Sequence, residues 1–124
     1  MNSFIPNTVN LHSLIPCNYS CGFCYAGFAG SNRARIPQHE LHQIINQVAR
    51  TPLPPGLDQR KVTFAGGEPL LSQTIAEDLQ YAKKLGLATS LVTNGSLLND
   101  ELIASIAPNL DLLTISIDSL HQQT

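Results

Sequence analysis

Four β-prone segments alternate with three amphipathic helical segments along this chain, and that order constrains the fold more than any other feature. The order β-α-β-α-β-α-β is typical of a parallel sheet with right-handed crossovers. We therefore expect an α/β fold in which residues 1–124 belong to a single domain. The predicted strands are Thr8–Leu14, Lys61–Phe64, Ala88–Thr93 and Leu112–Ile117, and the predicted helices lie at 37–50, 74–86 and 99–108.

Local patterns support two of these helices. The first has apolar residues at i, i+3, i+4 and i+7, which form one helical stripe. Thr74 and Glu77 make a T-x-x-E pattern, which predicts a capping box at the start of the second helix. Histidines 39, 42 and 121 are expected on helix surfaces in contact with solvent.

Glycine and polar residues follow each predicted strand. The segments are the cysteine-containing stretch after the first strand, Gly66–Pro69, Thr93–Gly95 and Ser116–Ser119. Because the carboxyl ends of parallel strands share one edge, where ligands bind, we expect these segments to converge on one site.

Composition excludes several classes of partner. A net charge of −2 gives no basic field that would attract nucleic acid or an anionic membrane surface. Residues 1–10 lack the basic and apolar regions of a secretory signal, and no apolar run approaches the roughly 20 residues of a membrane span. We expect a cytoplasmic protein that binds neither nucleic acid nor membrane.

The three cysteines, Cys17, Cys21 and Cys24, have the spacing C-x3-C-x2-C. An odd, clustered set argues against a secreted disulfide framework. Three thiolates can bind three irons of a cubane iron–sulfur cluster and leave the fourth iron without a protein ligand. Two alternatives remain open. One is structural zinc with His12 as a fourth ligand, and the other is incidental thiols, with or without one disulfide.

This spacing, with Phe23 in the aromatic position before the last cysteine, resembles the signature of the radical S-adenosylmethionine (SAM) superfamily. The resemblance implies a 4Fe–4S cluster on Cys17, Cys21 and Cys24 whose unique iron binds SAM and yields a 5′-deoxyadenosyl radical. It also implies an electron donor such as flavodoxin or ferredoxin. The implied fold is a parallel (β/α) partial barrel of six units, of which this chain forms the N-terminal part and stops before the last two.

The GGEP segment of that superfamily matches Gly66, Gly67, Glu68 and the proline that follows. In the superfamily this segment binds the SAM amino group: paired glycines allow a close backbone approach, and a carboxylate accepts from an ammonium group. Asn94 and Ser116 match further positions used for SAM. The alternative for both residues is turn chemistry, since Asn-Gly in particular is a common turn dipeptide. No side chain is assigned as a catalytic acid, base or nucleophile.

Residues 9–122 look more specifically like viperin and its prokaryotic relatives, through VNLH, CNYSCGFCYA, KVTFAGGEPLL, SLVTNGS and ISIDSL. That resemblance implies dehydration of a nucleoside triphosphate, such as CTP, to its 3′-deoxy-3′,4′-didehydro form in antiviral defence. Hydrogen is abstracted from C4′ and water leaves C3′. The resemblance also implies that Asn10 and Lys61 contact the nucleotide. Lys61 could place a point charge on a phosphate. That it is simply a solvated lysine at a strand edge is an equal alternative.

The chain departs from the animal viperins at several positions. Thr63 and Ala65 stand where the animal pattern has asparagine and serine, and the lysine-containing loop after the cysteines is replaced. We expect no membrane helix of the kind that the animal proteins carry. The nucleobase is therefore left open. Two other readings also remain, a different radical SAM enzyme such as a peptide-modifying maturase and a non-catalytic cluster-binding fragment.

Overall fold

Four strands and three α-helices alternate along the chain in the computed structural model, which describes residues 5–14 and 35–117. The prediction of an α/β fold with the order β-α-β-α-β-α-β is confirmed. In chain order the elements are β1 (Thr8–His12), α1 (Gln38–Arg50), β2 (Lys61–Ala65), α2 (Ile75–Lys84), β3 (Ala88–Thr93), α3 (Asp100–Ile106) and β4 (Leu112–Ile115). Within the described ranges, no helix is both long and apolar enough to cross a bilayer.

The strands form one parallel sheet in the order β1-β2-β3-β4. One register row runs across all four strands through Asn10, Thr63, Ser90 and Leu112. Because the spatial order equals the chain order, each helix crosses over on the same side of the sheet.

The hydrophobic core lies between one face of this sheet and the three helices. The strands contribute Leu11, Val62, Phe64 and Leu91, and the helices contribute Leu41, Ile45, Ile75, Leu79, Ala82 and Ile106. Side chains alternate between the two faces of a strand, so the residues between these core positions project to the other side. We call that side the helix-free face, since no helix of the described chain packs there. Its strand residues are Thr8, Asn10, His12, Lys61, Thr63, Ala65, Ala88, Ser90, Val92, Leu112 and Thr114.

A buried arginine joins the end of α1 to the start of β2. The Arg60 side chain is 2% exposed, and it donates to the carbonyl oxygens of Pro6, Val48, Thr51 and Pro52 at 2.7–2.9 Å. Its positive charge lies at the C-terminal end of the helix, where the helix dipole favours a cation.

The contacts between α1 and α2 correct two predictions. Thr74 makes no capping box with Glu77; its hydroxyl instead donates to Asp78 Oδ2 at 2.9 Å. His42 is only partly solvated: its side chain is 24% exposed, its Nε2 lies 2.8 Å from Asp78 Oδ1, and its ring stacks on Tyr81 at 4.1 Å. Both differences have one cause: the carboxylate of Asp78 is 2% exposed, and a buried charge needs hydrogen-bond donors.

β4 forms an edge of the sheet and stays largely exposed. Its apolar residues Leu112, Leu113 and Ile115 are 50%, 38% and 46% exposed. An exposed apolar edge strand of this kind is a template for pairing with another strand.

Candidate functional site at the carboxyl ends of the strands

The two glycines that follow β2 lie against the backbone that follows β1. The amide of Gly67 donates to the carbonyl oxygen of Leu14 at 3.2 Å. Gly66 has φ +121°, and a Cβ atom there would lie 2.7 Å from the same oxygen. A distance that short is a steric clash, and L side chains rarely adopt this backbone conformation. Glycine is therefore required at position 66 by this close approach.

The carbonyl oxygen of Leu14 also marks one end of the segment that contains the cysteines. Leu14 pairs with Arg35 in an isolated antiparallel bridge, and the amide of Ile36 donates to Ser13 at 2.8 Å. The segment that joins Leu14 to Arg35 contains Cys17, Cys21, Phe23 and Cys24, which lie outside the described residues. Both ends of that segment therefore lie at the carboxyl end of β1, beside Gly66.

The carboxylate of Glu68 joins the ends of β2 and β3. It is 1% exposed, and its Oε1 accepts from the Thr93 hydroxyl at 2.6 Å and from the Leu70 amide at 3.0 Å. Its Oε2 accepts from the Asn94 amide at 2.8 Å. Three donors compensate for removing the carboxylate from water. The side chain that the sequence assigned to a ligand thus also holds two strand ends together.

Thr93 extends this network towards β4. Its hydroxyl donates to Glu68 and accepts from the amide of Gly95 at 3.1 Å, so both of its hydrogen-bonding roles are used. Its carbonyl oxygen accepts from the amide of Ser116 at 2.9 Å. Within the predicted segment Thr93–Gly95 only Asn94 was assigned a role, so the structure adds Thr93 to the site. The available signal was a hydroxyl residue at a strand end, one position before Asn94.

Asn94 forms a local turn, as its alternative interpretation expected. Its Oδ1 accepts from the amide and the hydroxyl of Ser96 at 3.0 and 2.6 Å. Its backbone amide is the group that binds Glu68. A turn role is therefore present at this position, and the ligand role of Asn94 stays a prediction.

The described candidates for the SAM site lie at one edge of the sheet, as expected for residues that follow parallel strands. They are Gly66, Gly67 and Glu68 after β2, Asn94 after β3 and Ser116 after β4. The roles assigned to them remain predictions.

Asn10 and Lys61 do not lie at that edge. Asn10 is in the middle of β1, and Lys61 is the first residue of β2, about 13 Å along the strand from Ala65 at 3.3 Å per residue. Both project from the helix-free face. Thr63 neighbours both residues, since it is the register partner of Asn10 and lies two positions after Lys61.

A sequence model of the Radical SAM superfamily matches residues 16–124. The chain is 37% identical over 126 residues to the S-adenosylmethionine-dependent nucleotide dehydratase of Lacinutrix mariniflava, covering 98% of this chain and 25% of that protein. It is also 37% identical over 128 residues to the protein of the same name from Flammeovirga pacifica, covering 99% of this chain and 42% of the relative. The chain thus spans well under half the length of the relatives it matches.

Two solved structures share the fold. Streptococcus suis SuiB bound to S-adenosylmethionine has a TM-score of 0.75 and 20% identity, covering 93% of this chain and 26% of SuiB. BtrN in complex with S-adenosylmethionine and 2-DOIA has a TM-score of 0.70 and 14% identity, covering 93% of this chain and 46% of BtrN. With a parallel α/β sheet, a C-x3-C-x2-C segment whose flanking residues meet the GGEP segment, and a family match over most of its length, this chain belongs to the radical SAM superfamily.

Proposed function

We propose that this chain supplies the cluster-binding and SAM-binding part of a viperin-type nucleotide dehydratase. One observation carries the proposal. The network of Glu68, Thr93 and Asn94 joins strand ends directly beside both ends of the cysteine segment. The substrate class is proposed from the similarity to nucleotide dehydratases, which extends over nearly the whole chain.

The cysteines fit a 4Fe–4S cluster. Three thiolates are the donors that such a cluster takes, and they leave one iron open for a chelating cofactor. Cys17, Cys21 and Cys24 would hold the cluster, with Phe23 next to the last of them. When bound and reduced by a donor such as flavodoxin or ferredoxin, the cluster and SAM together supply a radical that abstracts hydrogen from the substrate.

The Glu68 carboxylate has little capacity left for the SAM amino group. An ionised carboxylate has about four lone-pair sites, and Thr93, Leu70 and Asn94 occupy three of them in Glu68. One site remains for an ammonium donor. In this proposal the carbonyl groups of Gly66 and Gly67 bind the amino group, and Glu68 fixes their position. Asn94 and Ser116 would contact the rest of the cofactor.

Lys61 and Asn10 are assigned to the nucleotide. Their place on the helix-free face supports this, because that face adjoins the SAM edge and carries no covering helix in the described chain. The proposed substrate is a nucleoside triphosphate such as CTP, and the reaction removes water from the ribose at C3′ and C4′. The protein would then be a lyase of the cytoplasm, and the modified nucleotide would serve antiviral defence.

The test uses the complete protein, reconstituted anaerobically with iron and sulfide. It is incubated with SAM, dithionite and each common ribonucleoside triphosphate in turn. We expect 5′-deoxyadenosine, together with a nucleotide product lighter by one water, for at least one base. SAM cleavage that needs a peptide and ignores every nucleotide would assign the protein to the maturases instead.

Two further results complete the test. A cluster spectrum with no SAM cleavage under any condition would support a non-catalytic cluster-binding role. Cys21→Ala is expected to lose the cluster absorbance, and a variant that keeps the full spectrum would contradict the assignment of the metal ligands. Ser105→Ala, on the surface of α3, serves as the matched control for handling and reconstitution.

A further inference from the structure

Two buried hydroxyl groups in the described chain have no hydrogen-bond partner there. Seven polar side chains in that part are buried. Five of them make side-chain hydrogen bonds, namely Arg60, Glu68, Asp78, Thr89 and Thr93. The other two are Thr63, which is 8% exposed, and Ser90, which is 2% exposed. Most polar side chains of buried residues are paired within the protein, so this unpaired couple needs an explanation.

The buried hydroxyls that make hydrogen bonds and those that do not lie on opposite faces of the sheet. Thr89 and Thr93 lie on the side of the helices, where they donate to Asn109 and Glu68 at 2.6 Å each. Thr63 and Ser90 lie on the helix-free face and are register partners on adjacent strands. Neighbouring strands are about 4.8 Å apart, so the two hydroxyls can reach the same ligand atom or two adjacent ones.

Neither hydroxyl oxygen is fully sealed from solvent. Within the described part of the chain, no fully sealed side-chain oxygen or nitrogen lacks a hydrogen-bond partner. Because Thr63 and Ser90 have no partner among these residues, their oxygens must still border accessible space. The pair is thus almost buried, free to donate, and open to a ligand.

The charge around this pair suits an anion. Among the described strand residues of the helix-free face there is no aspartate or glutamate, and the one cation is Lys61. Lys61 lies two residues before Thr63 on the same face of β2, a distance of about 6.6 Å along the strand. Lysine with serine and threonine hydroxyls is a common donor set for phosphate oxygens.

We propose that Thr63 and Ser90 bind the junction between the sugar and the first phosphate of the nucleotide. This inference rests on the proposed function, which provides the nucleotide and places its reacting ribose at the carboxyl edge. Lys61 then binds phosphate oxygens on one side of the pair, and the SAM edge lies about 6.6 Å further on the other side. The two hydroxyls donate to oxygens between these points and fix the distance from the phosphates to the reacting carbon.

The test measures binding by calorimetry in the complete, reconstituted protein with SAM and without reductant, so that no turnover occurs. The ligands are CTP or whichever ribonucleoside triphosphate binds most tightly, the corresponding monophosphate, and the nucleoside. Thr63→Val and Ser90→Ala remove one hydroxyl each while keeping a similar shape. Each is expected to weaken the binding of both nucleotides by about tenfold, since a hydrogen bond to a charged acceptor is of that order.

Matched variants separate hydrogen bonding from packing. Thr63→Ser restores a hydroxyl and should bind the nucleotides within about twofold of the parent. Thr51→Val and Ser105→Ala make the same chemical changes on the surface of the helix side and should bind as the parent does. Nucleoside binding should change by less than about twofold in every variant, because the nucleoside offers the neutral 5′ oxygen and no charged phosphate oxygen.

Three results would overturn the inference. Parent-like nucleotide binding by both Thr63→Val and Ser90→Ala would show that the hydroxyls touch no ligand. A Thr63→Ser variant as weak as Thr63→Val would show that packing matters and the hydroxyl does not. A parent that binds none of the nucleotides would remove the proposed function itself, and this outcome differs from the other two because it needs no variant.

Discussion

The hydroxyl of Thr93 lies 2.6 Å from Oε1 of Glu68, and this bond joins the ends of β3 and β2 inside the protein. Both side chains are at most 2% exposed. The carboxylate therefore depends on protein donors rather than on water, and the position of the GGEP backbone depends on a residue of the next strand.

Removing that donor should destabilise the fold. Thr93→Val keeps the shape of the side chain and leaves the buried carboxylate with two backbone donors. We expect the free energy of unfolding to fall by about 1–3 kcal/mol, the cost of an unsatisfied buried polar group. Urea denaturation followed by circular dichroism measures it. Thr93→Ser keeps the donor and should recover most of the loss; equal stability of the valine variant and the parent would contradict this role.

Gly66→Ala should be more costly than the same change at Gly86. Both glycines have positive φ, +121° and +86°, so both variants strain the backbone. Only at Gly66 does the new Cβ meet the Leu14 oxygen, at 2.7 Å, whereas nothing lies within 4 Å at Gly86. We expect about 1–3 kcal/mol from the backbone strain in each, and a further loss in Gly66→Ala alone. Thermal unfolding measures both variants, and equal shifts would mean that the Leu14 contact does not matter.

The two histidines of α1 should differ sharply on replacement. His42→Ala removes one of three side-chain partners of the buried Asp78, beside Gln38 and Thr74, and also the stack on Tyr81. We therefore expect a loss of about 1–3 kcal/mol. His39→Ala is the control, because His39 is 76% exposed and should change stability by less than about 0.5 kcal/mol. The measurement is denaturant unfolding at neutral pH. A larger effect from His39 than from His42 would rule out this account of the helix pair.

Asp111 should give stability a dependence on pH. Its hydrogen bond from Lys83, followed by that from the Thr89 amide, lowers the pKa of Asp111 from its usual 3.8. A lowered pKa in the folded state means that the stabilisation is complete above pH 3.8 and is lost as the pH falls through the lower, folded value. Because the Asp111 side chain is 42% exposed, the effect should stay below about 1 kcal/mol and weaken with salt.

Asp111→Asn tests this sign directly. The amide oxygen can still accept from Thr89, so the variant removes mainly the charge. It should be less stable than the parent at neutral pH, and the gap should narrow as the pH falls below 3.8. A gap that widens in acid would contradict the assignment.

The fold was predictable because its signals are local. The strands and helices begin and end within about two residues of the predicted positions, since apolar periodicity and strand-end glycines fix them without knowledge of distant contacts. The convergence of Gly66, Glu68, Asn94 and Ser116 followed from strand polarity alone.

The contacts inside the site were less predictable because they depend on register. Thr93 donates to Glu68 across 25 positions of sequence, and only the pairing of β2 with β3 brings the two together. The same pairing places Thr63 beside Ser90. Thr74 shows the opposite failure. Thr74 and Glu77 have the T-x-x-E spacing of a capping box, but the Thr74 hydroxyl donates to the buried carboxylate of Asp78 and makes no hydrogen bond to the helix end.

The bridge between Leu14 and Arg35 brings the two ends of the cysteine segment within one strand spacing of each other. Antiparallel partners lie about 5 Å apart, a gap that a tight two-residue turn can close. A chain in which such a turn replaces residues 15–34 contains every strand and helix described above and none of the three cysteines. Its folding and its nucleotide binding could be measured in air, free of oxygen-sensitive iron.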